Sequence, residues 1–202
     1  MKKPLMLVSV IALCIGLLAG CGTPDVATNT IIVDKDGKVT EAIVESFDQE
    51  YYSEEELKAF VEEEIEAYIV DHSKGDVKMS GLSVDAGTAK MVMRYVDATT
   101  YRDFHKVNFY VGTVVNAQSA GYDFNAKFFA VKDGVADTTY AGTSTVVAEE
   151  GNVLVIQEYI DVQVPGTITY VSEGVQVNSN NSVSIVAENE GDVAPLAYII
   201  YK

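Results

Sequence analysis

The sequence contains no tryptophan, four prolines, two histidines and two cysteines. Both cysteines, Cys14 and Cys21, fall within the first 21 residues. Beyond them there is no thiol, which excludes disulfide bonds, cysteine nucleophiles and thiolate-bound zinc from the rest of the chain. Positive charge is also scarce. Fourteen Lys and Arg stand against 30 Asp and Glu, a net charge of −16, or −18 once Lys2 and Lys3 are set aside. So acidic a chain is not built to follow a phosphate backbone or to lay a basic face on anionic lipid, and no nucleic-acid partner is expected. The G-x-S-x-G elbow, S-x-x-K, H-E-x-x-H, the P-loop and the dinucleotide fingerprint are all missing. No cofactor is expected, and no catalytic residue can be assigned from motifs.

Nor is there an apolar run of the roughly 20 residues that span a bilayer. What the N-terminus has instead is Met1-Lys2-Lys3, then an apolar stretch from Pro4 to Leu17 in which only Ser9 is polar. Positive flank and short apolar core match an export signal. Leu18-Ala19-Gly20-Cys21 closes it and resembles a lipobox: a Leu, two small residues and a Cys. In lipobox proteins the Cys thiol receives a diacylglycerol and the signal is cut just before it. The resemblance implies a bacterial lipoprotein precursor, with residues 1–20 a removed signal and Leu18, Ala19 and Gly20 its cleavage recognition. Cys21 would be the lipidated first residue, acylated by chains such as palmitate. The chain would face outward from the cell membrane, held by acyl methylenes at about 0.8 kcal/mol each. Residues 21–29 then form the lipidated Cys and a short tether, whose flexible part reaches only about 17 Å.

Residues 30–202 are of single-domain size. Thr30–Val33 reads as a strand, Asp34-Lys35-Asp36-Gly37 as its turn and residues 38–47 as its partner. Asp-Gly is a strong hairpin signal, and the spacing of a calcium loop is not met. About 53–70 reads as a long amphipathic helix. Ser53 and Glu56 make a capping-box pattern, with Leu57, Phe60, Val61, Ile65, Tyr68 and Ile69 on one side. Strand-like alternation follows. Residues 78–85 and 89–96 form a hairpin around Ala86-Gly87-Thr88, residues 97–106 are a short helix or an irregular crossing, and 107–115 is a strand. So are 125–131, 144–148 and 152–158, the last two as a hairpin. Pro165-Gly166 suits a type II turn, with short strands beyond it. The expected class is α+β: mostly antiparallel β with the long helix packed on the sheet.

Residues 47–57, Phe47-Asp48-Gln49-Glu50-Tyr51-Tyr52-Ser53-Glu54-Glu55-Glu56-Leu57, together with Val164-Pro165-Gly166 and the ending Tyr198-Ile199-Ile200-Tyr201, are similar to small uncharacterised lipoproteins of Gram-positive gut bacteria. That resemblance carries no site residues.

One polar constellation stands out. Tyr101, Asp103 and His105 alternate, so a strand would put them on one face. Asp71 and His72 lie at the helix end. Were the segments to meet, Asp71, His72, Asp103 and His105 would make a nitrogen-and-oxygen metal site. The alternative is His72 at a helix C-terminus and His105 simply hydrogen-bonded. The functional expectation is a non-enzymatic cell-envelope binding module, taking a wall glycan, peptide or protein partner through a Tyr-bearing β surface. The alternative is an extracellular hydrolase using carboxylates or a bound metal.

Overall fold

The computed structural model describes residues 24–202 apart from residues 188 and 190. The export signal, its cleavage residues and Cys21 therefore lie outside the described residues. In chain order the elements are β1 (Thr30–Val33), β2 (Val39–Ser46), α1 (Glu54–Ile69), β3 (Val77–Asp85), β4 (Thr88–Tyr95), α2 (Ala98–His105), β5 (Phe109–Thr113) and α3 (Val114–Ser119). There follow β6 (Phe128–Lys132), β7 (Val135–Ala141), α4 (Thr143–Val147), β8 (Asn152–Ile156), β9 (Asp161–Gln163), β10 (Ile168–Ser172), β11 (Val175–Val177), β12 (Ser182–Ile185) and β13 (Ala197–Tyr201).

The strands make two sheets. One has seven, in the order β11-β12-β9-β1-β2-β4-β3; the other has six, in the order β5-β8-β13-β10-β6-β7. All pairs are antiparallel except β1 with β9. The sheets share one core, to which Ile31, Val39, Val162 and Val183 come from the first and Leu154, Ile156, Val171 and Ile199 from the second. Each such side chain contributes about 1.5–3 kcal/mol by leaving water. The other face of the six-stranded sheet is covered too, where Val114 and Ala117 of α3, Val146 of α4 and Phe124 pack on Val153, Val155, Tyr198 and Ile200. This is why β13 is buried at all five positions and reads as an unbroken apolar run.

The α+β class with a long amphipathic helix is thereby corrected. The described residues are mostly β, two sheets facing each other, and the four helices among them have 16, 8, 6 and 5 residues. Alternation along a strand tells which face is buried but not what covers it, and a second sheet does what the helix was expected to do. α1 has the expected cap, Ser53 Oγ accepting from Glu56 N at 3.3 Å. Yet only Val61 is buried, and Phe60 is 60% exposed. α1 packs beside β3, and α2 joins β4 to β5, crossing from one sheet to the other. Among the described residues no helix is long and apolar enough to cross a membrane.

Three local expectations change. Residues 144–147 belong to α4, with Ala148 its C-cap, and β8 pairs with β5 and β13 instead of with them. The strand over 107–115 stops at Thr113, whose Oγ1 accepts from Asn116 N at 3.2 Å and caps α3, leaving Val115 62% exposed. The Pro165-Gly166 turn is not type II, since Gly166 lies outside the left-handed region that such a turn needs. The β3–β4 hairpin, by contrast, has the expected form. Ala86 and Gly87 have φ of 47° and 77°, the pair of positive values that matches a two-residue turn to strand twist.

Candidate functional site

A cleft of about 380 Å³ opens between α1 and α2 over the β2–β4 part of the larger sheet. Phe60, Val61 and Glu64 of α1 form one wall; Phe104, His105 and Lys106 at the end of α2 form the other. Ile43, Met91, Met93 and Tyr95 make an apolar floor with one carboxylate in it, Glu41. Glu41 follows the inward alternation of β2 between Val39 and Ile43 and is only 7% exposed.

The floor is a hydrogen-bonded cluster. Tyr95 donates its hydroxyl proton to Glu41 Oε2 at 2.7 Å, and His105 Nε2 lies 2.7 Å from the same hydroxyl oxygen and 3.2 Å from Glu41 Oε2. Since the Tyr95 proton is committed to Glu41, the ring nitrogen must be the donor, which places a proton on His105 Nε2. Behind it Tyr101 donates to Glu158 Oε2 at 3.0 Å. Burial, reinforced by Glu41, pushes both phenols well above their usual range, so they remain donors. No donor to Glu41 Oε1 is found among the described residues, yet no fully buried side-chain oxygen there lacks a partner. Oε1 therefore reaches solvent, and the cleft is the opening beside it.

Burial also raises Glu158 above the usual carboxylate value of 4.5, against the Tyr101 hydrogen bond and the His105 ring, with Glu41 adding to the rise. A carboxyl whose folded pKa is raised contributes stability below its unfolded pKa and loses it as pH climbs through the folded one. Glu158→Gln keeps the acceptor for Tyr101 without that loss. The variant is expected to be more stable than wild type at neutral pH and indistinguishable from it below about pH 4. Urea titrations at the two pH values check this; equal stability at both would remove Glu158 from the account.

The four residues considered for a metal do not converge. Asp71, His72 and Asp103 line a second cleft of about 350 Å³, which shares Glu64, Phe104 and Lys106 with the first but not His105. Residues 98–105 are helix, so spacing by four, not by two, decides what shares a face. Tyr101 and His105 come together, ring centroids 4.5 Å apart, while Asp103 turns outward to Arg102. His72 stacks on Tyr68 at 3.8 Å and donates from Nδ1 to the Tyr68 carbonyl at 2.8 Å, the helix-end arrangement. Among the described residues no group of three or more His, Cys, Asp or Glu is placed to hold a metal ion.

Of the tyrosines only Tyr51, Tyr52 and Tyr140 are exposed; the first two sit with Phe47 in the loop before α1. The sequence reading missed Glu41, Tyr95 and Glu158. A signal for Glu41 was available, an acidic residue at an inward position of an apolar strand. Compared with family models, with curated proteins and with solved structures, the chain matches none.

Proposed function

We propose that the protein is a lipid-anchored cell-envelope protein that binds a small, largely apolar ligand in the α1–α2 cleft. The observation that carries this is the cleft itself: concave, walled by Phe60 and Phe104, floored by two methionines, with a few convergent polar groups. Methionine adapts its shape to what it contacts. The hydrolase alternative draws less support. A carboxylate pair must face one substrate, whereas Glu158 does not line the cleft and its Oε2 is taken up by Tyr101. The test is a thermal-shift screen of the chain with small apolar compounds, wild type beside Met91→Trp, which fills the cleft from a half-buried position. A ligand that stabilises wild type and not the variant supports the reading. Ligands that stabilise both alike place binding elsewhere.

The anchor is the second part of the proposal, and the lipobox-like Leu18-Ala19-Gly20-Cys21 supports it. Asn29, at the end of the tether, is tied to Glu45 and to Val44 N at the end of β2. The tether thus leaves from the end of the sandwich that carries the Phe47–Tyr52 loop, and the folded body sits close to the bilayer. Cys21→Ser is expected to abolish incorporation of labelled palmitate and to release the protein from the detergent phase. Palmitate incorporation unchanged in the variant would refute the anchor.

A further inference from the structure

We infer that the ligand class of the cleft is a small apolar amine, whose ammonium group meets Glu41 Oε1 while its hydrocarbon body lies on Phe60, Met91, Met93 and Phe104. This rests on the cleft being the binding site. It goes further by naming the chemistry that the site selects.

The selecting group is Glu41. More than nine-tenths of this residue is buried, in a floor otherwise made of Ile43, Met91, Met93 and Tyr95. Burying a carboxylate in such surroundings is costly unless every lone pair finds a donor. Oε2 has one, the Tyr95 hydroxyl, with the His105 ring nitrogen 3.2 Å away. Oε1 has none among the described residues and opens to the cleft. A ligand that brings a charged donor satisfies it, and a charge-assisted hydrogen bond is about twice as strong as a neutral one. Phe104 and Phe60 line the same cleft, and aromatic rings near a cation attract it.

The remaining charges agree or are weak. Glu64 at the rim also favours a cation. Lys106 opposes it, but both rim residues are exposed and screened by solvent, whereas Glu41 is largely buried and screened less. The net charge of −16 adds a field that draws cations. An anionic ligand would have to place its charge against Glu41 to use the same apolar floor.

The experiment is calorimetric titration of the full chain in zwitterionic nanodiscs with three probes of one shape: 2-phenylethylammonium, 2-phenylethanol and 3-phenylpropionate. The ammonium is expected to bind at least about tenfold more tightly than the alcohol, a difference of about 1.4 kcal/mol, with the carboxylate weakest. Glu41→Gln should bring the ammonium down to the alcohol and leave the alcohol unchanged, which also shows the variant folded. If Glu41→Gln loses the alcohol as well, the order of the three probes on wild type decides. Alcohol or carboxylate binding as tightly as the ammonium, with all binding lost in Met91→Trp, overturns the amine assignment and leaves the cleft standing. Absence of binding by every probe overturns both.

Discussion

Tyr101→Ala is expected to cost about 3–5 kcal/mol, the range for truncating a buried aromatic side chain. Tyr101 is fully buried, and its ring touches Tyr95, His105 and Phe109 at centroid separations of 5.1, 4.5 and 4.6 Å. It lies where α2 crosses between the sheets, so the cavity opens under the site and no single element can close over it. A domain with about 5–15 kcal/mol of stability loses a large share of it. Tyr101→Phe separates packing from polarity. It keeps the ring and leaves Glu158 Oε2 without its donor, a cost nearer to 1 kcal/mol because half-buried Glu158 can turn to water. Urea denaturation of both variants checks the pair. A loss below about 1.5 kcal/mol in the alanine variant, half the lower bound of the range, would mean that the ring is not a packing anchor.

The second large effect is at Gly166. A Cβ built there would fall on the carbonyl of Lys202 and against the Tyr201 ring. The neighbouring bonds, Thr167 N to Lys202 O at 2.7 Å and Lys202 N to Thr167 O at 3.0 Å, hold β10 and the end of β13 together at that point. The obstruction is backbone, which cannot rotate away as a side chain could. Gly166→Val is expected to reach at least about 3 kcal/mol, the top of the usual range for overpacking. The melting temperature should fall accordingly, and wild-type stability in this variant would contradict the close approach seen here. The same contact explains why a type II turn is not needed: glycine is required for space, not for φ.

These two positions show how far the sequence could be read. Local features were legible. The Asp34 turn, the Ser53 cap and the Ala86-Gly87 hairpin each depend on a few neighbouring residues, and each formed as read. Pairing was not legible. β1 lies beside β9 through Thr30 and Asp161, and nothing near either strand announces the other. Residues 144–147 are rich in Val and Thr, which favours strand; packing of Val146 on the outer face of the six-stranded sheet made them helix. The site failed to emerge for a related reason. Reading 101–105 with a period of two grouped Asp103 with His105; the helix, with its period near four, grouped Tyr101 with His105 and turned the ring toward Glu41, 64 positions away in the chain. Glu41 was visible only as a flaw in an apolar pattern. Such flaws are the places where sequence-level consistency gives way to function.

In the proposed complex a ligand lies over Met91 and Met93 with its cation on Glu41. Methyl NMR of the protein, labelled at its methionines and titrated with 2-phenylethylammonium, reads that floor directly. The signals of Met91 and Met93 are expected to shift on saturation and to stay in place in Glu41→Gln at the same ligand concentration. If both signals hold still in wild type at saturation, the cleft is not where this protein binds.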